Sequence, residues 1–308
     1  MEMQPSVVIN PATDLAERKH LVIGGGGTKS ILAGVGAFCG LKANSASHWL
    51  TIGGISGGSI PAAFISLGLK PSELLRLSVR KDFQELLLTR RHPWRVIRRY
   101  LSQKGPKLPI KALMSSQPLG DFIDEMITVW PDRFWTMAMA DVEGIGRCQI
   151  VFTSDGVFRY NLEGECVKLS NKPPSVGTAV RASCAIPGVI SAVEYEDLHL
   201  FDGMLTWDGN CPVGVVGKHY SAEAPHITAI DVGDLDNWFG VIQRRYMRYW
   251  CGKTCKNNHL AIQDWIEKGV KLIKAPHFNS GAIKLDYSAK QKWEAIRSAY
   301  NAAREAHH

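Results

Sequence analysis

The sequence lacks the features that mark secreted and membrane-spanning proteins. Its longest apolar stretch, residues 21–41, is broken by Lys29 and seven glycines, so it does not predict a helix that crosses a bilayer. The first twenty residues contain no basic segment followed by an apolar core, and no signal peptide is expected. The seven cysteines are irregularly spaced, which is not typical of a disulfide framework. We therefore expect a cytoplasmic protein whose contact with a membrane, where it occurs, is peripheral.

Internal repeats, Gly/Ser-rich linkers and abrupt shifts in composition are also missing, so nothing in the sequence divides the chain into several domains. With 308 residues, 45% of them hydrophobic, the chain has enough apolar material for one large core. We predict a single domain over residues 18–308. Within it, residues 70–140 are expected to form a helical insertion or lid, and residues 260–308 to form C-terminal helices.

The chain has a net charge of +7, and two of its basic stretches also carry aromatic residues. Residues 90–100 have the sequence RRHPWRVIRRY, and residues 244–250 have the sequence RRYMRYW. Aromatic rings between cations suit the boundary between lipid and water, and they also suit stacked nucleic-acid bases. A solvated basic surface explains the same charge without any partner.

Alternating strands and helices are predicted from the apolar pattern. Residues 20–23 form a short apolar run that stops at four glycines, and residues 30–41 continue as a helix. The same plan recurs with a strand in residues 49–55 and a helix in residues 59–69. A strand–turn–helix unit that occurs twice indicates an α/β fold with a largely parallel sheet. Further strands are expected at residues 148–153, 198–201 and 227–232.

A Gly-x-Ser-x-Gly motif lies between the second predicted strand and its helix, at residues 54–58. This motif requires such a context, because its serine sits on a sharp turn that only small neighbours allow. The helix that follows directs the positive end of its dipole at the serine. A structural glycine-rich turn would have the same sequence, but the flanking strand and helix make Ser56 a candidate nucleophile.

Four consecutive glycines, residues 24–27, follow the first predicted strand and allow backbone N–H groups to approach an anion. A phosphate-binding P-loop is excluded, because Thr28 stands where that motif has glycine before its lysine, and Ile23 occupies the place of its first glycine. The dinucleotide fingerprint Gly-x-Gly-x-x-Gly lacks its last glycine here. An oxyanion-binding loop passes both tests, and its members would be Gly25, Gly26 and Gly27.

A third candidate group is a carboxylate at the end of a predicted strand. An apolar run from Leu198 leads directly into Asp202 and Gly203, and α/β proteins gather their sites at strand ends. An ordinary Asp-Gly turn has the same sequence, so this element alone is not specific. Asp208, also followed by glycine, is a rival base, but only a short segment precedes it.

In this order, the three elements resemble the patatin-like phospholipase family. That family has a Gly-Gly-Gly-x-Arg/Lys-Gly loop, a Gly-x-Ser-x-Gly elbow and a distant Asp-Gly-Gly or Asp-Gly-Ala. The corresponding segments here are residues 25–30, 54–58 and 202–204. Residues 179–188, which are rich in alanine and end in Pro-Gly, and the Asn-Cys-Pro of residues 210–212 also resemble family segments. The resemblance covers roughly residues 20–235.

The chain departs from the family pattern at three places. Ser30 replaces the last glycine of the loop, and Met204 replaces the small residue after Asp-Gly. The interval from Asp202 to Asn210 is slightly longer than in the family. For this reason Asp208 stays a rival to Asp202 on the sequence alone.

The resemblance implies a three-layer α/β/α sandwich with a mainly parallel central sheet, and a lipid acyl hydrolase of the phospholipase A or lysophospholipase type. Ser56 would attack an ester carbonyl, Asp202 would accept its proton, and the glycine loop would stabilise the oxyanion. No histidine and no cofactor would take part. The substrate would be a phospholipid or another acyl lipid at a membrane surface, not a nucleic acid.

Two other functions are consistent with the same sequence. An acyltransferase would form the same acyl-enzyme and pass the acyl group to an acceptor other than water. A catalytically silent lipid- or nucleic-acid-binding module would explain the basic aromatic stretches, but intact Ser56 and Asp202 argue against it.

Histidine and metal alternatives stay open at this point. A Ser-His-Asp triad needs a histidine after the acid, and His219, His226, His259 and His277 all satisfy this order. Cys251, Cys255 and His259 are spaced four apart and would share one face of a helix. They are a weak indication of a zinc site, because no fourth ligand is evident.

Overall fold

The computed structural model describes residues 19–89, 108, 110–232, 258–275 and 284–306, with residues 258–261 as backbone only. The strands are β1 (His20–Ile23), β2 (Thr51–Gly54), β3 (Leu88–Thr89), β4 (Met114–Ser115), β5 (Phe134–Val142), β6 (Gly146–Thr153), β7 (Gly156–Tyr160), β8 (Cys166–Ser170), β9 (Val193–Tyr195), β10 (Leu198–Asp202), β11 (Ile227–Asp231) and β12 (Lys271–Lys274). The α-helices are α1 (Thr28–Gly40), α2 (Ser59–Ser66), α3 (Pro71–Arg80), α4 (Gln117–Met126), α5 (Val176–Ser183), α6 (Val213–His219), α7 (Asn258–Glu267) and α8 (Ala289–Glu305).

Ten of the strands form one sheet, in which five parallel strands carry the candidate site. Their order is β12-β11-β1-β2-β5, and every neighbouring pair in this group is parallel. On the far side of β5 the sheet continues as the antiparallel strands β6, β7 and β8. Antiparallel β10 also pairs with β5, and β9 pairs with β10. The predicted α/β fold with a parallel central sheet is confirmed, and the antiparallel extension is an addition to it.

The sheet has an apolar core on each face, because side chains along a strand alternate between its two sides. Leu21 and Ile23 of β1 belong to a core that includes residues of α1, α2 and α8. Val22, which lies between them, belongs to a second core that includes Val216 of α6 and Trp265 of α7. The result is the three-layer arrangement of helices, sheet and helices that the sequence predicted.

The predicted helical insertion over residues 70–140 is wrong at its C-terminal end, where β5 begins at Phe134. The first seven residues of β5 are all buried. A strand that is buried on both faces does not show the alternation that distinguishes a half-buried strand, so its periodicity cannot separate it from a buried helix. At the C-terminus both predicted helices are present, and the four-residue strand β12 between them was missed.

Helix α8 packs directly against α1, the helix that follows the glycine loop. The two backbones approach so closely that a Cβ on Gly36 would collide with the carbonyl of Ile296, and one on Gly40 would collide with that of Tyr300. Glycine is therefore required at both positions of α1. The last described helix thus supports the first one, which leads out of the candidate site.

None of the helices in the described ranges has the length and apolar character needed to span a bilayer. Several sequence predictions concern residues outside these ranges and stay predictions. They are the basic aromatic stretches 90–100 and 244–250, His277, the cysteines Cys251 and Cys255, and the side chain of His259.

Candidate active site

Ser56 lies on a strained turn directly after β2. Its φ of 51° places a non-glycine residue in the left-handed region, a conformation that costs on the order of 1–3 kcal/mol and occurs at active sites. A single 3-10 turn, Ser56–Gly58, then leads into α2. A Cβ on Gly57 or Gly58 would collide with a carbonyl of the glycine loop. These contacts explain why the elbow needs small residues around its serine.

Asp202 reaches Ser56 because β2 and β10 end against the same strand. Gly54 at the end of β2 is aligned with Thr136 of β5, and Asp202 at the end of β10 is aligned with Ala138. Since β6 occupies the other side of β5, β2 and β10 lie on one side with their carboxyl ends facing each other. The Ser56 hydroxyl donates a hydrogen bond to Asp202 Oδ2 at 2.7 Å.

The Asp202 carboxylate is almost completely removed from water, with 1% of the residue exposed. Burial raises its pKa from 3.8 to about 7, although hydrogen bonds from Met204 N–H and the Ser56 hydroxyl favour the charged form. Met204 N–H donates to Oδ1 at 3.0 Å. Oδ1 and Oδ2 therefore have separate partners, and burial makes this carboxylate a stronger base than an exposed one.

Asp208, the rival base, is directed away from Ser56. Its Oδ2 accepts a hydrogen bond from Gln149 Nε2 at 2.7 Å, and its carboxylate packs against Gly214 at the start of α6. Burial raises its pKa as well. The structure thus brings Asp202, and not Asp208, into contact with the candidate nucleophile.

The glycine loop lies beside Ser56, but its four N–H groups are not equivalent. Gly24 N–H donates to Ile230 O and Gly25 N–H donates to Asn210 O, both at 2.8 Å. Gly25 is therefore a correction to the predicted oxyanion hole, because its amide proton is already engaged. A Cβ on Gly25 would lie 3.1 Å from Ser56 Cβ, so this glycine provides space rather than a donor.

Gly26 and Gly27 have positive φ angles of 152° and 65°, which only glycine adopts readily. Among the described residues, neither N–H has a hydrogen-bond partner in the protein. The loop is fixed from α1 instead, where Ser30 Oγ donates to Gly27 O at 2.6 Å. Both N–H groups are consequently available to an anion.

Lys29 is not a surface cation, since only 1% of the residue is exposed. Its aliphatic stem covers Gly26, and a Cβ on that glycine would lie 3.1 Å from Lys29 Cε. The Lys29 side chain is thus part of the packing around the glycine loop.

An apolar cavity opens beside Ser56. Gly27 and Gly57 border it next to the serine. The rest of its wall is mainly aliphatic and aromatic, and includes Ile31, Ile60, Phe83, Leu86, Leu119 and Ile190. Leu285, close to α8, closes one side, and the adjacent Lys284 carbonyl accepts a hydrogen bond from Thr28 Oγ1. Such a cavity suits a hydrocarbon chain attached to a reacting ester.

The two described histidines of the triad alternative lie away from this site. His219 Nδ1 is hydrogen-bonded to the Tyr160 hydroxyl at 2.6 Å, and burial lowers its pKa. His226 precedes β11 at the amino end of the parallel strands, whereas Ser56 follows the carboxyl end of β2. Within the described ranges no group of three or more His, Cys, Asp or Glu residues could hold a metal ion.

Sequence reasoning missed two parts of the site. Ser183, at the end of α5, accepts the Ser56 N–H through its hydroxyl at 2.9 Å. It lies in the alanine-rich segment that the sequence singled out, but nothing local indicated this contact. The cavity wall formed by Phe83 and Leu86 lies in the segment predicted to be an insertion, and no motif marks it.

A model of the patatin-like phospholipase family matches residues 21–216. By structure the chain is similar to the type III effector protein ExoU, with 12% identity and a TM-score of 0.46 over 94% of this chain and 53% of ExoU. It is also similar to VipD from Legionella pneumophila (12% identity, TM-score 0.47, 94% of this chain and 67% of VipD) and to human GIVD cytosolic phospholipase A2 (10%, 0.42, 95% and 63%).

The chain spans about half the length of ExoU. A sequence search of curated proteins finds no match. The family match covers more than half of the 308 residues and includes the glycine loop, the Ser56 elbow and Asp202. The chain therefore belongs to the patatin-like phospholipase family.

Proposed function

We propose that the protein is a lipid acyl hydrolase of the phospholipase A or lysophospholipase type, which cleaves carboxylic esters through Ser56 and Asp202. The observation that supports this most directly is the 2.7 Å hydrogen bond from the Ser56 hydroxyl to a buried carboxylate, beside an apolar cavity. Nucleophilic catalysis needs a serine whose hydroxyl is hydrogen-bonded to a base of suitable pKa.

The reaction would begin when Asp202 takes the Ser56 proton and Ser56 Oγ forms a bond to the ester carbonyl carbon. The carbonyl electrons move to oxygen and return when the C–O bond to the leaving alcohol breaks. Asp202 gives its proton to that alcohol, which departs as a lysophospholipid or another hydroxyl compound. In the second half, Asp202 accepts a proton from water as the water attacks the acyl-enzyme, and Ser56 recovers a proton as fatty acid leaves.

The oxyanion would be stabilised by the N–H groups of Gly26 and Gly27. In Gly-x-Ser-x-Gly elbows the N–H of the residue after the nucleophile is a further donor, which adds Gly57. Gly27 and Gly57 both border the cavity at Ser56. Losing one such donor typically costs about 3–4 kcal/mol of transition-state stabilisation.

The substrate would present its ester from a membrane surface, with the acyl chain in the apolar cavity and the polar head group outside it. A chain without a spanning helix in its described part would reach such a substrate by peripheral binding. The basic aromatic stretches 90–100 and 244–250 have the composition for contact with anionic lipid.

Mass spectrometry of the products from a mixed phospholipid extract tests this function. We expect the wild type to release free fatty acid and lysophospholipid, and Ser56→Ala to release neither while it melts at the wild-type temperature. Ser66→Ala is the matched control, because Ser66 is buried on α2 and its hydroxyl donates a hydrogen bond to Ala62 O within that helix. Hydrolysis by Ser56→Ala, or an inactive wild type, would contradict the proposal.

A further inference from the structure

A second apolar cavity adjoins the one that opens at Ser56. The two cavities share one wall, formed by Ile31, Ile60, Phe83 and Leu86. The second cavity is also lined by Lys81 and by residues of α1, α2, α3 and α4, among them Val35, Phe64, Leu74 and Phe122. Two adjoining apolar spaces, one of which is bordered by Ser56, thus share four lining side chains.

These four side chains differ in how firmly the backbone holds them. Ile31 and Ile60 lie on α1 and α2, which pack on the central sheet and keep their positions with it. Phe83 and Leu86 lie on a single 3-10 turn, Phe83–Leu86, between α3 and β3. That turn begins at Asp82, whose carboxylate accepts the Gln84 N–H at 2.9 Å.

Phe83 is held in place from α8. Lys292 Nζ donates to Val79 O at 3.1 Å and to Lys81 O, and these are the carbonyls at the C-terminal end of α3. The same ammonium lies 4.5 Å from the centre of the Phe83 ring, in cation–π contact. The edge of Tyr287 packs on the other part of this ring, with 6.1 Å between the ring centres. These contacts fix the aromatic ring between the two cavities.

From this arrangement, and resting on the proposed function, we infer that Phe83 and Leu86 form the floor of the acyl site and set the longest acyl chain that binds. Each methylene that enters the Ser56 cavity loses contact with water and raises the affinity about fourfold. A chain that reaches the floor gains nothing from further methylenes, because they stay in water. The second cavity holds such a chain only when the floor is removed.

The experiment measures kcat/KM for saturated p-nitrophenyl esters from butanoate to palmitate, each divided by the value for butanoate. For the wild type we expect this ratio to rise about fourfold per methylene and then to level off at one chain length. In Leu86→Ala and Phe83→Ala, the chain length at which the ratio levels off should be longer than in the wild type. A matched truncation leaves the floor and the Ser56 cavity intact and should keep the wild-type chain length: Leu74→Ala, which lines only the second cavity.

A filling variant makes the test reciprocal. Ser78 is buried and lines only the second cavity, so Ser78→Leu in the Leu86→Ala background should restore the wild-type limit. Calorimetric binding of free fatty acids to the same floor variants, each made in Ser56→Ala, gives a length profile that needs no turnover. If folded Leu86→Ala and Phe83→Ala keep the wild-type limit on acyl-chain length by either measurement, the inference that these residues form the floor is wrong. An inactive wild type with a shifted binding limit would instead overturn the proposed function alone.

Discussion

The hydroxyl of Ser183 accepts a hydrogen bond from the backbone N–H of Ser56 at 2.9 Å. Both residues are buried, so this N–H has no access to water. The contact links the end of α5 to a residue with a φ of 51°. It thereby stabilises the conformation in which Ser56 Oγ faces Asp202.

Ser183→Ala should lower both stability and turnover, because it leaves a buried N–H without an acceptor. The free energy of unfolding should fall by about 1–3 kcal/mol, and kcat should fall while KM for a short-chain ester changes little. Urea unfolding and steady-state kinetics measure the two effects. An unchanged kcat in the folded variant would show that Ser183 does not position the nucleophile.

Asp202→Asn should remove nearly all ester hydrolysis, and Asp208→Asn should retain most of it. Both changes keep the side-chain size and remove a negative charge, but only Asp202 contacts Ser56. Loss of a positioned base typically costs about 10²–10⁴-fold in rate. Initial rates on one soluble ester compare the variants directly, and the reverse order of activities would assign the base to Asp208.

The activity should follow the ionised fraction of Asp202. With a pKa raised to about 7, kcat/KM should rise through neutral pH, level off above it, and fall about tenfold per unit below it. A profile that stays flat down to pH 5, the region of ordinary carboxylates, would contradict this assignment.

Stability should change with pH in the opposite direction. Between pH 3.8 and about 7, folded Asp202 binds a proton that the unfolded chain has released. The free energy of unfolding should therefore fall as pH rises across this window, by up to about 1.4 kcal/mol per pH unit. Asp202→Asn should lack this contribution, which urea unfolding at several pH values will reveal.

Gly36→Ala should destabilise the protein, although alanine normally favours a helix over glycine by about 1 kcal/mol. The new methyl group would collide with the Ile296 carbonyl and separate α1 from α8. Thermal melting tests this, and we expect a lower melting temperature than in the wild type. A higher melting temperature would mean that the two helices do not pack this closely.

Activity on anionic vesicles should exceed activity on neutral ones and should decrease with salt. Replacing Arg244, Arg245 and Arg248 together should reduce vesicle activity and spare a soluble short-chain ester. A control with the same change of charge replaces three exposed arginines on helices: Arg76, Arg297 and Arg304. Equal losses of vesicle activity in both triple variants would show that the effect comes from net charge and not from the positions of Arg244, Arg245 and Arg248.

The parts of the site that the sequence predicted are those with a local signature. The Ser56 elbow was recognisable from a strand, a glycine-rich turn and a helix, and Asp202 from the apolar run before it. The availability of each glycine N–H was not predictable, because Gly25 is engaged by Asn210, which is distant in sequence. The floor residue Phe83 had no signature either, since its role comes from neighbours on other elements.

The same difference explains the error at β5. Its sequence gives no period from which to choose between helix and strand, and its position follows from pairing with β2, β6 and β10. A pattern within ten residues shows how a segment can fold. It does not show which distant segments will meet there.

The carboxyl ends of β2 and β10 face each other along β5. The distance between Ser56 and Asp202 therefore depends on the register of these strands. A slip of β10 by one residue would move Asp202 about 3.3 Å along β5 and turn its carboxylate to the other face of the sheet. Deleting a single residue within Leu198–Asp202 would therefore separate the base from the nucleophile. Extra residues in the turn between β7 and β8 would leave both in place, so insertions and deletions should be tolerated in the loops and excluded from these strands.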